Sequence, residues 1–221
     1  MAERWITKNG RRIPIVDGGG GKAVAAGVAA VMIFGGGGVT GAAGGSSVGV
    51  ETVSVRKADA KRSARKGKAD DAWRRMGMRR LKRSVSKRNR GCVRVTWGEV
   101  RRSLLRDPCT SLDRRLFAIA DRRGNIALVS VAWVRFRTSD ARRRFQDVID
   151  VYGTGDIRPL GAGRLGLAHV RFTGRYYHSI PKRARLTVAE AEAVKGGFDP
   201  KVLDGLAEIA AELPSPRHRR R

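Results

Sequence analysis

Residues 116–136 read LFAIADRRGNIALVSVAWVRF, and they decide the architecture. Leu116 to Ala120 and Ile126 to Phe136 are apolar, β-branched and aromatic, and they flank Asp121-Arg122-Arg123-Gly124-Asn125, a set of turn-forming residues. Two such runs about a Gly-containing turn predict an antiparallel hairpin. Upstream, Trp97, Val100, Leu104 and Leu105 fall at helical spacing. They predict a helix over 96–106, with Thr96 as N-cap and Pro108 beyond its end. Downstream, Ser139 or Asp140 can cap a helix whose buried stripe is Ala141, Phe145, Val148, Ile149 and Tyr152, stopped by Gly153-Thr154-Gly155. Residues 168–177 and 185–194 read as two further strands. A last helix follows Asp199-Pro200 and buries Leu203, Leu206, Ala207 and Ala210. The order α, β, β, α, β, β, α over residues 92–213 predicts an α+β two-layer sandwich. Its antiparallel sheet would have about four strands, with helices on one face.

The flanks differ sharply in composition. Residues 1–22 form a basic arm in which Trp5 to Thr7 and Arg12 to Val16 surround Asn9-Gly10, the pattern of a short hairpin. Residues 23–50 carry no charged side chain and include the apolar run 23–34, AVAAGVAAVMIF. Twelve apolar residues fall short of the roughly 20 that a membrane helix needs, so a span would have to recruit the glycines through about residue 43. A secretory signal with a short apolar core, or a soluble Gly/Ala/Ser linker, are the other readings. The run of Val31, Met32, Ile33 and Phe34 favours a membrane anchor or signal over a linker.

Residues 51–91 read as a basic linker, partly disordered or helical. Between 56 and 94 there are 17 Lys and Arg against Asp59, Asp70 and Asp71, and self-repulsion opposes collapse of such a segment. Trp73, Met76, Leu81 and Val85 suggest one helix between 70 and 85, weakened by Gly77. Residues 214–221 are a second basic tail.

The whole chain has 221 residues and a formal charge of +27, with 36 Arg among its 47 basic residues. That length allows one ordinary domain with extensions and argues against a large two-domain enzyme. Cys92 and Cys109 bracket the 96–106 helix. They form a disulfide if the chain is exported and stay as two thiols if it remains in a reducing cytosol. These two cysteines with His169, His178 and His218 lack the spacing of a zinc site, and no cofactor-binding motif is present.

Several short stretches together carry a likeness: Trp5 to Gly10, the Gly/Ala-rich segment, Cys92, Pro108-Cys109-Thr110-Ser111-Leu112-Asp113-Arg114, Val131 to Val134, Gly153 to Asp156, Phe172 to Gly174, and Ala189 to Glu192. In these the chain resembles a group of uncharacterised actinobacterial membrane-associated or exported proteins. The resemblance implies an N-terminal anchor or signal and a cysteine at each of the two matching positions. It implies no activity, and the arginine load here exceeds that of the group.

Candidate chemistry is sparse. The glycines at 153, 155, 161 and 163 could approach a phosphate, but neither a dinucleotide fingerprint nor a P-loop is present, and turn geometry accounts for them. Tyr176 to Ser179 offers acid, base and nucleophile types, yet neighbours on a strand point to opposite faces. Glu190 and Glu192 share one strand face, either as paired carboxylates or as neutralisers of nearby arginines, the latter being favoured. Trp97 and Trp133 read as core. The strongest functional feature is the basic segment, in which Arg74, Arg75, Arg79, Arg80, Lys82, Arg83, Lys87, Arg88 and Arg90 would attract a polyanion. The reading is a non-enzymatic, membrane-anchored or exported interaction module at the cell envelope, its globular domain extracytoplasmic. It would be held to the membrane through residues 23–43 and to an anionic surface by its basic arm. The alternative is a cytoplasmic nucleic-acid-binding protein that uses residues 56–94.

Overall fold

A computed structural model describes residues 4–8, 11–15, 47–81, 84–89, 91–161 and 170–216. Two strands, β1 (Arg4–Lys8) and β2 (Arg11–Ile15), pair antiparallel as the Asn9-Gly10 signal predicts. The main sheet comprises β3 (Arg79–Arg80), β4 (Val85–Asn89), β5 (Ser111–Ala120), β6 (Ile126–Arg135), β7 (Tyr177–Lys182) and β8 (Arg185–Lys195). Its order is β3, β5, β6, β8, β7, with β4 also pairing β5, and every pairing is antiparallel. The helices are α1 (Ser47–Arg65), α2 (Ala69–Arg75), α3 (Gly98–Arg106), α4 (Ser139–Ile149) and α5 (Pro200–Ala211). The α+β class stands, with six strands in the main sheet rather than about four.

Helices cover both faces of this sheet, so the two-layer expectation is corrected to three layers. Side chains alternate along a strand, and the two sets have different neighbours. On one face Phe117, Ile119, Val129, Val131, Trp133 and Ala191 pack with Ala60 and Ala64 of α1, Trp73 of α2 and the apolar stripe of α5. On the other, Leu112, Ala132, Val134, Leu186 and Val188 meet Val100 and Leu104 of α3 and Phe145 and Ile149 of α4. Burial from both sides gives the 116–120 half of β5 and most of β6 near-continuous apolar runs in place of clean alternation. It is this run in residues 116–136 that makes the hairpin so legible.

The boundary expected at Cys92 does not divide the fold. Trp73, read as part of a basic linker, is fully buried, with its ring centroid 5.5 Å from that of Phe117 in an edge-on contact. The single helix expected between 70 and 85 ends at Arg75, because Gly77 turns the chain at φ +74°, where glycine carries no Cβ penalty. The chain then returns along the sheet edge as β3 and β4. Strand β5 begins at Ser111, five residues before its apolar run. Asp113 and Arg114 are buried within it: Asp113 sits 3.9 Å from Arg88, and Arg114 donates to the Arg158 carbonyl at 2.5 Å.

Other local expectations shift for physical reasons. Thr96 does not cap α3; its hydroxyl donates to the Val93 carbonyl at 3.1 Å, and Trp97 takes the N-cap position. For α4 the cap is Thr138, whose hydroxyl accepts from the Ala141 N–H, one residue before the expected Ser139. Trp97, Leu105 and Tyr152 were expected in the core but are exposed. The strand expected over 168–177 starts only at Tyr177; residues 168 and 169 lie outside the described residues, and 170–176 form no strand. Asp199 and Pro200 start α5 as predicted.

The expected transmembrane helix is overturned: among the described residues no helix is long and apolar enough to cross a membrane. Helix α1, which begins within the last residues of the uncharged segment, carries Arg56, Lys57, Lys61, Arg62 and Arg65. The apolar run 23–34 and the remainder of 23–46 lie outside the described residues.

Candidate functional site

Cys92 and Cys109 form a disulfide with Cα atoms 6.2 Å apart. Cys92 opens a 3-10 turn at Val93–Val95 and Cys109 follows α3, so the bond closes a loop around that helix.

The nine basic residues expected to hold a polyanion separate into three groups. Four are engaged within the fold. Arg74 pairs with Asp71, and Arg75 donates to Ser63 at 3.0 Å and lies 3.6 Å from Asp59. Arg80 is 2.7 Å from Asp70, and Arg88 faces Asp113 across the β4–β5 pair. Arg79 and Lys87 are exposed and have no partner among the described residues. Lys82, Arg83 and Arg90 lie outside the described residues.

The ordered members are held along one sheet edge. β3 sets Arg79 and Arg80 opposite Ala120 and Ile119 of β5, and β4 sets Lys87 and Arg88 opposite Arg114 and Asp113, with Arg115 opposite Ser86. Burial pushes the Arg115 guanidinium below its ordinary pKa, and the charge of Arg80 adds to the shift; its Nε is buried without a hydrogen-bond partner among the described residues. Burial lowers Arg114 likewise. Charged edge strands also guard against edge-to-edge pairing, but that role does not require a half-buried arginine beside another arginine.

A second feature is a cleft of about 460 Å³ on the α3–α4 face. The helices cover part of that face, and Leu160, Val170 and Phe172 pack over another part against Leu116 and Leu128. Between these coverings Glu190 lines the floor, Asp156, Arg158 and Arg171 add charge, and the exposed rings of Trp97 and Tyr152 stand at the rim. The wall is fixed by a backbone crossing. Gly98 lies at φ +63° and Gly155 at φ +121°, and a Cβ on Gly155 would fall 2.2 Å from the Trp97 carbonyl oxygen. This crossing, with Glu99 N–H to the Thr154 carbonyl at 2.6 Å, explains the Gly153-Thr154-Gly155 pattern. Ala162 and Gly163 lie outside the described residues. Sequence reasoning missed the cleft because its parts come from four separated stretches; the one linear signal was glycine flanking Thr154.

The Tyr176 to Ser179 stretch divides as strand geometry requires. Tyr177 and Ser179 both donate to Asp150, at 2.7 and 3.1 Å, on the α4 side. His178 points to the opposite face, towards α1 and α5, where Lys57 and Lys61 hold Glu208 at 3.1 and 2.6 Å. Glu192 accepts from the Thr173 N–H and hydroxyl rather than from an arginine.

His178 predicts a pH effect. Its Nδ1 is buried without a hydrogen-bond partner among the described residues, and burial, reinforced by Lys61, pushes its pKa below the ordinary 6.5, against the pull of Glu208, Glu212 and Asp150. The unfolded chain therefore binds a proton more readily than the folded one. Stability from this group is full above the unfolded value and falls as pH drops through about 6.5. Melting temperature should decline more between about pH 7 and about pH 5 for the native chain than for His178→Gln. Equal slopes would show that His178 does not titrate in this way.

Comparison of the chain with protein families, curated proteins and solved structures finds no match.

Proposed function

We propose that this protein is a non-enzymatic interaction module that works outside the reducing cytosol and binds a phosphate-bearing anionic surface of the cell envelope. The contact would run along its basic sheet edge and would be peripheral. The observation that carries the reading is the crowding of like charge on that edge, with Arg115 half-buried beside Arg80 and with Arg79 and Lys87 exposed and unpaired among the described residues. Fixed cations in excess of the carboxylates beside them raise the local potential and draw in polyanions. The rigid strands also reduce the side-chain ordering that binding would otherwise cost. The disulfide supports an oxidising location, since such bonds are rare in reduced compartments. The split of Tyr177 and Ser179 from His178 supports a role without catalysis by that stretch.

Cosedimentation of the full chain with phosphatidylglycerol vesicles tests the reading, with phosphatidylcholine vesicles as control. Each basic residue near an anionic surface contributes about 1 kcal/mol. Arg79→Gln with Lys87→Gln should therefore weaken binding by roughly 20- to 30-fold. Added salt should weaken it further. Duplex DNA bound tightly in a salt-dependent way, with no vesicle binding, would favour the nucleic-acid reading instead. No binding to either at low ionic strength would remove both.

A further inference from the structure

We infer that a cleft beside the β7–β8 turn, on the α1–α5 face of the sheet, is a binding site for the dianion of a phosphate monoester. The strand register sets three basic side chains in one row. Arg135 of β6 stands opposite Arg185 of β8, and Arg185 stands opposite Lys182 of β7. Residues directly opposite on neighbouring strands share a face and lie about 5 Å apart at Cβ, where like charges cost stability. None of the three has an ion-pair partner among the described residues. On the edge strand β7 a lysine guards against stray pairing. Arg135 and Arg185, however, are on interior strands, where no such guard is needed. An anion that meets all three cations accounts for the row.

The cleft has a volume of about 330 Å³, in the range of small-molecule sites, and Lys182, Arg185 and Arg65 line it. Thr187, two residues along β8 from Arg185 and so on the same face, lines it too. Thr187 is only 8% exposed, and its hydroxyl has no hydrogen-bond partner among the described residues. Buried polar groups are nearly always satisfied, and this one offers an anion oxygen a donor. The one carboxylate in the lining, Glu212, is held by Arg65 at 2.9 and 2.5 Å, which leaves Lys182 and Arg185 uncompensated. Two backbone ties fix the walls. The Trp133 indole N–H donates to the Leu213 carbonyl at 2.8 Å, and the Phe136 N–H donates to the Ala184 carbonyl at 2.8 Å, which ties the β7–β8 turn to the end of β6. The Arg185 fork suits two phosphate oxygens, with Lys182 as a point charge on a third. This inference is independent of the anionic-surface reading, because it uses none of the basic residues of β3 and β4.

The test has two arms, both with the full chain at fixed ionic strength and about pH 8, where a phosphate monoester is doubly charged. The first is calorimetric titration with glycerol 3-phosphate against the diester dimethyl phosphate. The second is cosedimentation with phosphatidic acid vesicles, whose headgroup is a monoester, against phosphatidylglycerol vesicles, whose headgroup is a diester. In at least one arm the monoester should bind at least about tenfold more tightly than the diester. Lys182→Gln and Arg185→Gln should each weaken it at least about tenfold, the loss expected when one charge-assisted hydrogen bond goes unmade. Binding in the first arm assigns a free phosphate ester, and binding in the second alone assigns a lipid headgroup. Arg79→Gln with Lys87→Gln should keep the monoester preference, which separates this site from the sheet edge. Loss of the preference in that double variant would overturn the inference, as would equal binding of monoester and diester or binding of neither. So would undiminished binding by Lys182→Gln, an exposed position that keeps the test decisive if Arg185→Gln fails to fold.

Discussion

Trp73→Ala should lower the unfolding free energy by about 3–5 kcal/mol, the range for removing a large aromatic from a packed core. For a chain of this size that is a fall in melting temperature of roughly 6 to 20 °C. The ring is fully buried against Phe117 and shares its cluster with α1, α5 and three strands of the sheet. Trp73→Phe should cost far less, since the indole Nε1 has no hydrogen-bond partner among the described residues to lose. If the segment before Cys92 were a basic linker, neither change would move the thermal transition. An unshifted Trp73→Ala melt would therefore restore the linker reading and remove α2 from the core.

Opening the Cys92–Cys109 bond should cost about 3 kcal/mol, because the two cysteines are 17 residues apart and the closed loop restricts the unfolded chain. The corresponding drop in melting temperature is about 6 to 12 °C. It should appear equally with a reductant and in a Cys92→Ser/Cys109→Ser double variant, and that variant should no longer respond to the reductant. The bond brackets α3, whose first residues, Trp97 and Gly98, form one wall of the cleft. A reduced chain that melts within about 2 °C of the oxidised one would show that packing alone holds α3.

How legible the fold was in the sequence depended on how locally each signal was written. The α5 helix could be placed from Asp199 and Pro200 because an N-cap and a first-turn proline act within one helical turn. The 116–136 hairpin could be placed because its strands are buried on both sides and its turn residues are specific. Strand β4, VSKRN, carries no such signal: it is mostly exposed and is a strand because β5 offers it hydrogen bonds. The Ser111–Arg115 half of β5 reads as polar, and it is a strand because Arg88, Asn89 and the Arg158 carbonyl satisfy its charges.

The candidate sites follow the same division. The disulfide was foreseeable as one of two states of a cysteine pair. The basic edge was visible as a run of charge but not as an edge, since nothing in residues 74–90 says which arginines meet Asp59, Asp70, Asp71 or Asp113 across the fold.

By itself the amino-acid order determined the α+β class, the central hairpin, the N-terminal cap of α5 and the sign of the surface charge. Each of these depends on residues within a few positions of one another, or on composition alone. Only the tertiary structure decided that helices cover both faces of the sheet, that Trp73 belongs to the core, that the cations are fixed along an edge, and that Glu190 lines a cleft. Each of those depends on the partner a residue meets from far along the chain, and that pairing is selected when the whole sheet buries its apolar surface at once.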